Sequence, residues 1–338
     1  MKPEYSFVIP VFNRPDEVRE LFQSMTTLEG SVVFEVILVE DGSVDTAASV
    51  VQDFAKRLDI IYLIKPNTGP GDSRNYGMSR ARGHYYIILD SDCTLPKKYL
   101  MTIDGYVKRH QPDFFGGPDA AHQDFSVLQR GIDFAMTSFI TTGGIRGHKK
   151  QVVRFEPRSF NMGLSSKAFK ASGGFAHIHP GEDPDLTHRL WHLGFESQLI
   201  SGAFVYHKRR LSWSKYARQV YKFGLARPIL NKWHPAGAKW IFWLPGLWLI
   251  ASLITLVIGL LGYWSFFVIL MAYYAAVFIS AGVMTKSISV AINATFAVWI
   301  QLYVYAFGFL RAHFLVSVLR QNPQRALPEL FFKTAINE

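Results

Sequence analysis

The chain has 338 residues, enough for one or two domains with a proper core, and its single cysteine, Cys93, excludes an internal disulfide framework or a cysteine-rich zinc site. The net charge of +10 is unevenly placed. Residues 1–196 carry 22 Lys and Arg against 24 Asp and Glu, whereas residues 197–328 carry 13 Lys and Arg and no acid.

The N-terminus, "MKPEYSFVIPVFNRP", holds an apolar run too short for a secretory signal and reads as a first strand. "RPDEVRELFQSMTTL" follows as a helix, with Pro15 near its first turn and acids in that turn. "FEVILVE" is a strand, "VDTAASVVQDFAKRL" a helix and "IIYLI" a strand. Residues 69–82 read as a helix that Gly83 ends, and "HYYIIL" as a fourth strand. This alternation predicts right-handed βαβ units, hence an α/β, Rossmann-like fold with a mostly parallel sheet. Strands this rich in apolar and β-branched residues suit burial on both faces.

In such sheets ligands bind beyond the carboxyl ends of the strands. The second strand ends in Glu40-Asp41-Gly42-Ser43 and the fourth in Asp90-Ser91-Asp92, so both acidic groups point to one sheet edge. Two carboxylates spaced D-x-D on a turn suit a hard divalent cation, Mg²⁺ or Mn²⁺, which takes one or two carboxylates plus substrate phosphates. "KPNTGPGDSRNYGMSRARGHYY" supplies a glycine-rich helix entry suited to an anion, with Arg74 adding positive charge or pairing with a nearby acid.

Residues 93–210 are less regular, with several Gly and Pro turns, and read as an α+β half beside the sheet. Within them, "GEDPDLTHRLWHLGF" puts Glu182, Asp183 and Asp185 in the first turn of a helix. Acids there stabilise the helix dipole; a carboxylate there can also deprotonate a hydroxyl. Ser73 with Asp185 and His188 does not make a serine hydrolase, because no G-x-S-x-G elbow is present.

Nine of the downstream cations fall in "HKRRLSWSKYARQVYKFGLARPILNKWHPAGAK", where interleaved aromatics would suit nucleic acid. The next 46 residues, between Lys239 and Lys286, carry no charge and decide against nucleic acid. A spanning helix needs ~20 apolar residues. Two fit here, joined at "GYWS" (262–265), and a third uncharged run, 287–310, either spans or lies at the interface. The basic segment then sits against anionic headgroups.

Eight segments in order carry a resemblance: "SFVIPVFNRP", "VEDGSVD", "PNTGPGDSRNYGMSRARGHYYIILDSDC", "FFGGP", "FNMGLSSKAFKASGGF", "GEDPDLTHRLWHLGF", "VYH" and "RQVYKFG". Across about the first 225 residues the chain resembles the inverting, GT-A-fold glycosyltransferases of family 2. With "YVYAFGFLRA" near its end, the tail is similar to that of bacterial enzymes building exopolysaccharide and other surface glycans.

The resemblance implies roles by position. Asp41 would contact the nucleotide base or ribose, and Asp90 and Asp92 the nucleotide and metal, with His207 reaching the metal or diphosphate. Pro10, Glu40, Asn67, Gly69, Arg74 and Ser91 would complete the donor site, with Gly117 and Asn161 lining its donor or acceptor side. Asp183, beside Glu182, would be the general base. Gln219, Lys222 and Phe223 would face the acceptor at the membrane interface. Processive synthases of the family carry Q-x-x-R-W there; this chain has Gln219-Val220-Tyr221-Lys222-Phe223, and Lys does not replace a planar guanidinium fork.

The expected organisation is a catalytic domain over 1–211, a basic amphipathic segment over 212–239, two or three membrane helices over 240–310 and a basic tail over 311–338. The expected activity moves a sugar from a nucleotide-diphosphate donor, a UDP-sugar, to a hydroxyl of a lipid-linked glycan, one sugar per encounter. The enzyme would be multi-pass in the cell membrane with a cytoplasmic catalytic domain. A processive synthase and a non-catalytic nucleotide-sugar-binding scaffold are the alternatives.

Overall fold

A computed structural model describes residues 2–120, 125–143, 154–207 and 212–332. The chain divides into two compact units. Unit one holds residues 1–122, 153–208 and 331–338; unit two holds 123–152 and 209–330.

Unit one begins with β1 (Tyr5–Val11), α1 (Pro15–Met25), β2 (Phe34–Asp41), α2 (Ala48–Phe54), β3 (Ile60–Lys65), α3 (Pro70–Met78) and β4 (Tyr85–Leu89). These are the strands and helices expected from the alternation. β5 (Cys93–Thr94), α4 (Tyr99–His110), β6 (Phe114–Gly116) and β7 (Asp119–Ala120) follow. The chain then passes through unit two as α5 (Val127–Thr137) and α6 (Phe139–Thr142). It returns as β8 (Asn161–Ser165), α7 (Ser166–Ser172), α8 (Glu182–His192), β9 (Ser197–Leu199) and β10 (Val205–His207).

The main sheet has the order β3-β2-β1-β4-β8-β6-β9. Its first four strands are parallel, and β8 runs antiparallel to both β4 and β6. Alternate residues of β1 face opposite layers. Phe7 and Ile9 pack with Leu21 and Phe22 of α1 and with Tyr99 of α4, while Val8 packs with Met78 of α3 and Leu186 of α8. α1 forms because Val18, Leu21, Phe22 and Met25 fall on one helical face and are buried there, behind a Pro at its first turn.

Two local expectations need correction. α3 ends at Met78, not at residue 82. Arg82 is drawn out of helical register by Glu35, which accepts from its backbone N–H and its Nε, both at 2.6 Å. Gly83 therefore does not cap the helix; it lies against β1, where a Cβ would sit 2.7 Å from the Ser6 hydroxyl.

Unit two continues with α9 (Trp213–Trp233), α10 (Leu244–Leu260), α11 (Ser265–Thr285) and α12 (Ile288–His313). Among the described residues, three helices are long and apolar enough to cross a membrane: 240–260, 265–285 and 288–318. The expected helix pair around "GYWS" is present. The third uncharged run is one continuous helix that ends three residues beyond the expected Leu310.

Candidate active site

The strand order places β1 between β2 and β4, whose connections leave in opposite directions, so a crevice opens at their carboxyl ends. Asp41 closes β2 and is paired in register with Lys65, the last residue of β3. Its Oδ1 accepts from Lys65 Nζ at 2.6 Å and from the Thr68 N–H at 3.0 Å, and its Oδ2 accepts from the Gly69 N–H at 3.0 Å. Gly69 has φ +95°, a left-handed conformation that any side chain would strain. The Phe332 ring lies on it, leaving no room for a Cβ. Asp41 thus holds the β3–α3 turn in shape through two backbone donors and a buried cation.

Arg74, just past the first turn of α3, is almost fully buried. It donates to Asp90 Oδ1 at 2.8 Å and to Glu182 Oε1 at 3.3 Å. Burial opposes its charge, but Asp90 and Glu182 outweigh burial and raise its pKa. Its Nε is buried and makes no hydrogen bond among the described residues. Glu182 Oε1 also lies 2.8 Å from His179 Nδ1. Asp90, Arg74, Glu182 and His179 therefore form one network from the end of β4 to the start of α8.

Asp183 follows Glu182 in the first turn of α8. Its Oδ2 accepts from the Ser159 N–H at 3.1 Å; its Oδ1 is buried without a hydrogen bond among the described residues. The two neighbours titrate apart. Burial would raise the Glu182 carboxyl, but His179 and Arg74 hold it low, at about 2. Burial and then the Glu182 charge push Asp183 up. One carboxylate stays ionised and its neighbour is shifted toward a general base.

Asp92 Oδ2 is 3.3 Å from the half-exposed Arg14 guanidinium. Asp90 and Asp92 are 34% and 16% exposed at their side chains and offer two hard oxygen ligands. No group of three potential metal ligands gathers among the described residues. The donor set thus fits a divalent cation only if a substrate phosphate completes it. His207 ends β10 opposite Cys93, and its side chain lies outside the described residues.

Pro10 is half-buried near the end of β1, Asn67 is exposed on the β3–α3 turn and Ser91 is buried between the two aspartates. Glu40, next to Asp41 at the end of β2, is engaged through Oε2, which accepts from the Ala47 N–H at 3.0 Å and the Tyr62 hydroxyl at 2.7 Å. Asn161 is also engaged internally, accepting from the Tyr99 hydroxyl at 2.6 Å and donating to the Ala203 carbonyl at 2.8 Å. At Gly117 a Cβ would collide with the Ala203 carbonyl. Gln219 is exposed on α9, and Lys222 and Phe223 are half-buried. Sequence reasoning missed Lys65 and His179; the signal for Lys65 was a cation closing an apolar strand, "IIYLIK".

Residues 6–170 match the model of Glycosyl transferase family 2. The chain carries a family 2 glycosyltransferase domain. The match stops short of Glu182 and Asp183. Among curated proteins, the domain is 26% identical over 113 residues to the poly(ribitol-phosphate) beta-N-acetylglucosaminyltransferase TarS of Staphylococcus aureus, covering 32% of this chain and 20% of that one. It is 33% identical over 93 residues to the succinoglycan biosynthesis protein ExoO of Rhizobium meliloti, covering 28% and 26%. A stretch of 227 residues is 24% identical to YdaM of Bacillus subtilis, a probable glycosyltransferase, covering 64% and 53%. The chain thus spans between a fifth and about half of these relatives.

Among solved structures, the mannosyltransferase PcManGT of Pyrobaculum calidifontis, in complex with GDP-Man and Mn²⁺, superposes with a TM-score of 0.64 over 92% of this chain and 88% of that one, at 13% identity. Residues 1–349 of TarS give 0.50 over 68% and 64%, at 18% identity. These likenesses show that the glycosyltransferase domain has the GT-A fold.

Proposed function

We propose that this chain is a membrane-anchored, inverting glycosyltransferase that moves a sugar from a nucleotide-diphosphate donor to a hydroxyl of a glycan acceptor. The observation that carries this reading is the Glu182–Asp183 pair. Asp183 presents a buried carboxylate oxygen without a hydrogen bond among the described residues, and its pKa is pushed up while Glu182 stays ionised. That is the arrangement of a general base awaiting a hydroxyl.

In the proposed step, Asp183 takes the acceptor's proton as its oxygen attacks the anomeric carbon from the face opposite the diphosphate. The new C–O bond forms, the bond to the diphosphate oxygen breaks, and the nucleoside diphosphate leaves with the electron pair. Arg74 places beside Asp90 a buried cation whose Nε–H makes no hydrogen bond among the described residues, suited to the leaving diphosphate. Asp90 and Asp92 would hold a Mg²⁺ or Mn²⁺ together with that diphosphate, and the cation would neutralise the charge that builds on it. Asp41 fixes the turn on which the nucleoside would rest. A UDP-sugar donor and a lipid-linked acceptor fit an enzyme held at a bilayer.

The test is donor turnover by full-length protein in detergent, with UDP-, GDP- and dTDP-sugars, a lipid-linked glycan extract and Mn²⁺. Transfer is expected with one nucleotide and should be lost in both Asp183→Asn and Asp92→Asn. Turnover surviving both substitutions would sink the proposal. Donor binding with no turnover by the wild type would leave a binding scaffold instead.

A further inference from the structure

Three helices of unit two are long and apolar enough to span, yet their packing distinguishes them. α10 and α11 are joined by a tight turn at 261–264, so the start of α10 and the end of α11 form the open end of one hairpin. The distal part of the hairpin bears exposed apolar residues such as Leu260, Leu261, Val268 and Ile269. α12 does not run along the hairpin to that tip. Ala291 meets α11 near its end, at Gly282. Tyr303 then bonds Ser252 of α10 at 2.8 Å, Leu310 lies against Gly246, and His313 stacks edge-on with Trp243 at 4.7 Å. As α12 advances, it passes from the end of α11 to the start of α10, which are on the same side.

α9 provides a second, separate observation. Tyr216 bonds Gln301 at 3.2 Å, and Gly224 and Gly308 are so close that a Cβ on either would collide with the other helix's backbone. Lys232 reaches the Val316 carbonyl at 3.4 Å. Both helices advance together, so they lie side by side in the same direction over about 24 Å, at 1.5 Å per residue. Any path that carries α12 through the hydrocarbon carries Lys215, Arg218, Lys222, Arg227 and Lys232 of α9 with it, which a bilayer opposes strongly.

The end of the chain gives a third. Phe331 bridges to Ile178 and the Phe332 N–H donates to the His177 carbonyl at 3.3 Å, so the tail returns to unit one. The chain leaves unit one after residue 208 and rejoins it at 331. A segment that starts and ends on one folded unit crosses a membrane an even number of times.

We infer that unit two crosses the bilayer twice, through α10 and α11, and that α12 with α9 lies along the headgroup surface at the open end of that hairpin. The surface partner is an anionic lipid face. Lys239 and Lys286 stand at the open end, Arg311 lies in the last turn of α12, and Arg320 and Arg325 follow it. This does not depend on the proposed glycosyl transfer.

The test is cysteine accessibility in the full-length chain, whose native Cys93 is fully buried. Gln52→Cys on α2, Tyr263→Cys at the hairpin tip and Gln324→Cys beyond α12 are each placed at an exposed position. Intact spheroplasts are treated with a membrane-impermeant maleimide and compared with lysed ones. The expected result is that Q52C and Q324C respond alike and Y263C oppositely: Y263C labelled in intact cells, the other two only after lysis. Q52C and Q324C labelled together with Y263C protected would keep two crossings and reverse the side. Q324C labelled on the same side as Y263C, apart from Q52C, would establish three crossings and overturn the inference.

Discussion

Two neighbouring carboxylates in the first turn of α8 differ because of what surrounds them. Glu182 has His179 and Arg74 within reach, while Asp183 has burial and the Glu182 charge against it. Glu182, whose folded pKa lies below its ordinary 4.5, contributes stability that is present above 4.5 and is lost as pH falls toward about 2. Asp183 is the reverse: its raised pKa means that its ionised form opposes folding at neutral pH. Asp183→Asn is therefore expected to lower kcat by roughly two to four orders of magnitude without lowering the unfolding midpoint at pH 7. In the wild type, the acid limb of the kcat/KM profile should fall above the ordinary aspartate value of 3.8. A limb at or below that value would remove Asp183 as the titrating base.

Lys65 is the residue that composition alone could not flag. Its side chain and that of Asp41 are 7% and 6% exposed. Lys65→Met keeps the stem and strands the Asp41 charge, and breaking a buried pair from one side costs about 3–5 kcal/mol. Chemical denaturation is expected to show a loss of this size. A change under about 1 kcal/mol would mean that water or Thr68 already satisfies Asp41.

At the scale of elements, continuous apolar runs located β1 to β4: β1, β2 and β4 are inner parallel strands written that way, and β3 keeps such a run at the sheet edge, where it is only partly buried. Residues 93–210 did not yield so readily. β5, β7, β9 and β10 have two or three residues each, too short to show a period, and they find partners far away in sequence. Gly117 belongs to this scale. The resemblance offers it as a lining residue, whereas packing explains it by the Ala203 carbonyl above it. Gly117→Ala is expected to destabilise the fold by about 1–3 kcal/mol through overpacking, read as a lower thermal midpoint. An unchanged midpoint would show that the 203 loop moves aside at no cost.

For the whole molecule, the hairpin governs behaviour. α10 and α11 have a mean hydropathy of 2.2 and expose most of their apolar side chains. Burying them in lipid is non-ionic, so washing membranes with about 1 M salt, which cuts the Debye length to about 3 Å, should leave the full-length chain in the pellet. Release by salt would show attachment by the basic face of α9 alone.

The sequence by itself determined the α/β alternation, the sheet edge carrying Asp41, Asp90 and Asp92, the acidic first turn of α8 and the apolar hairpin. These are local properties: a period, a strand end, a helix start, an uncharged run. Only the tertiary structure decided that Arg74 joins Asp90 to Glu182, that Lys65 holds Asp41, that Glu40 and Asn161 are engaged internally, and that α12 turns across the hairpin's open end. Most of those contacts join residues 16 to more than 100 positions apart, and no local pattern records which side chain a folded chain brings beside another.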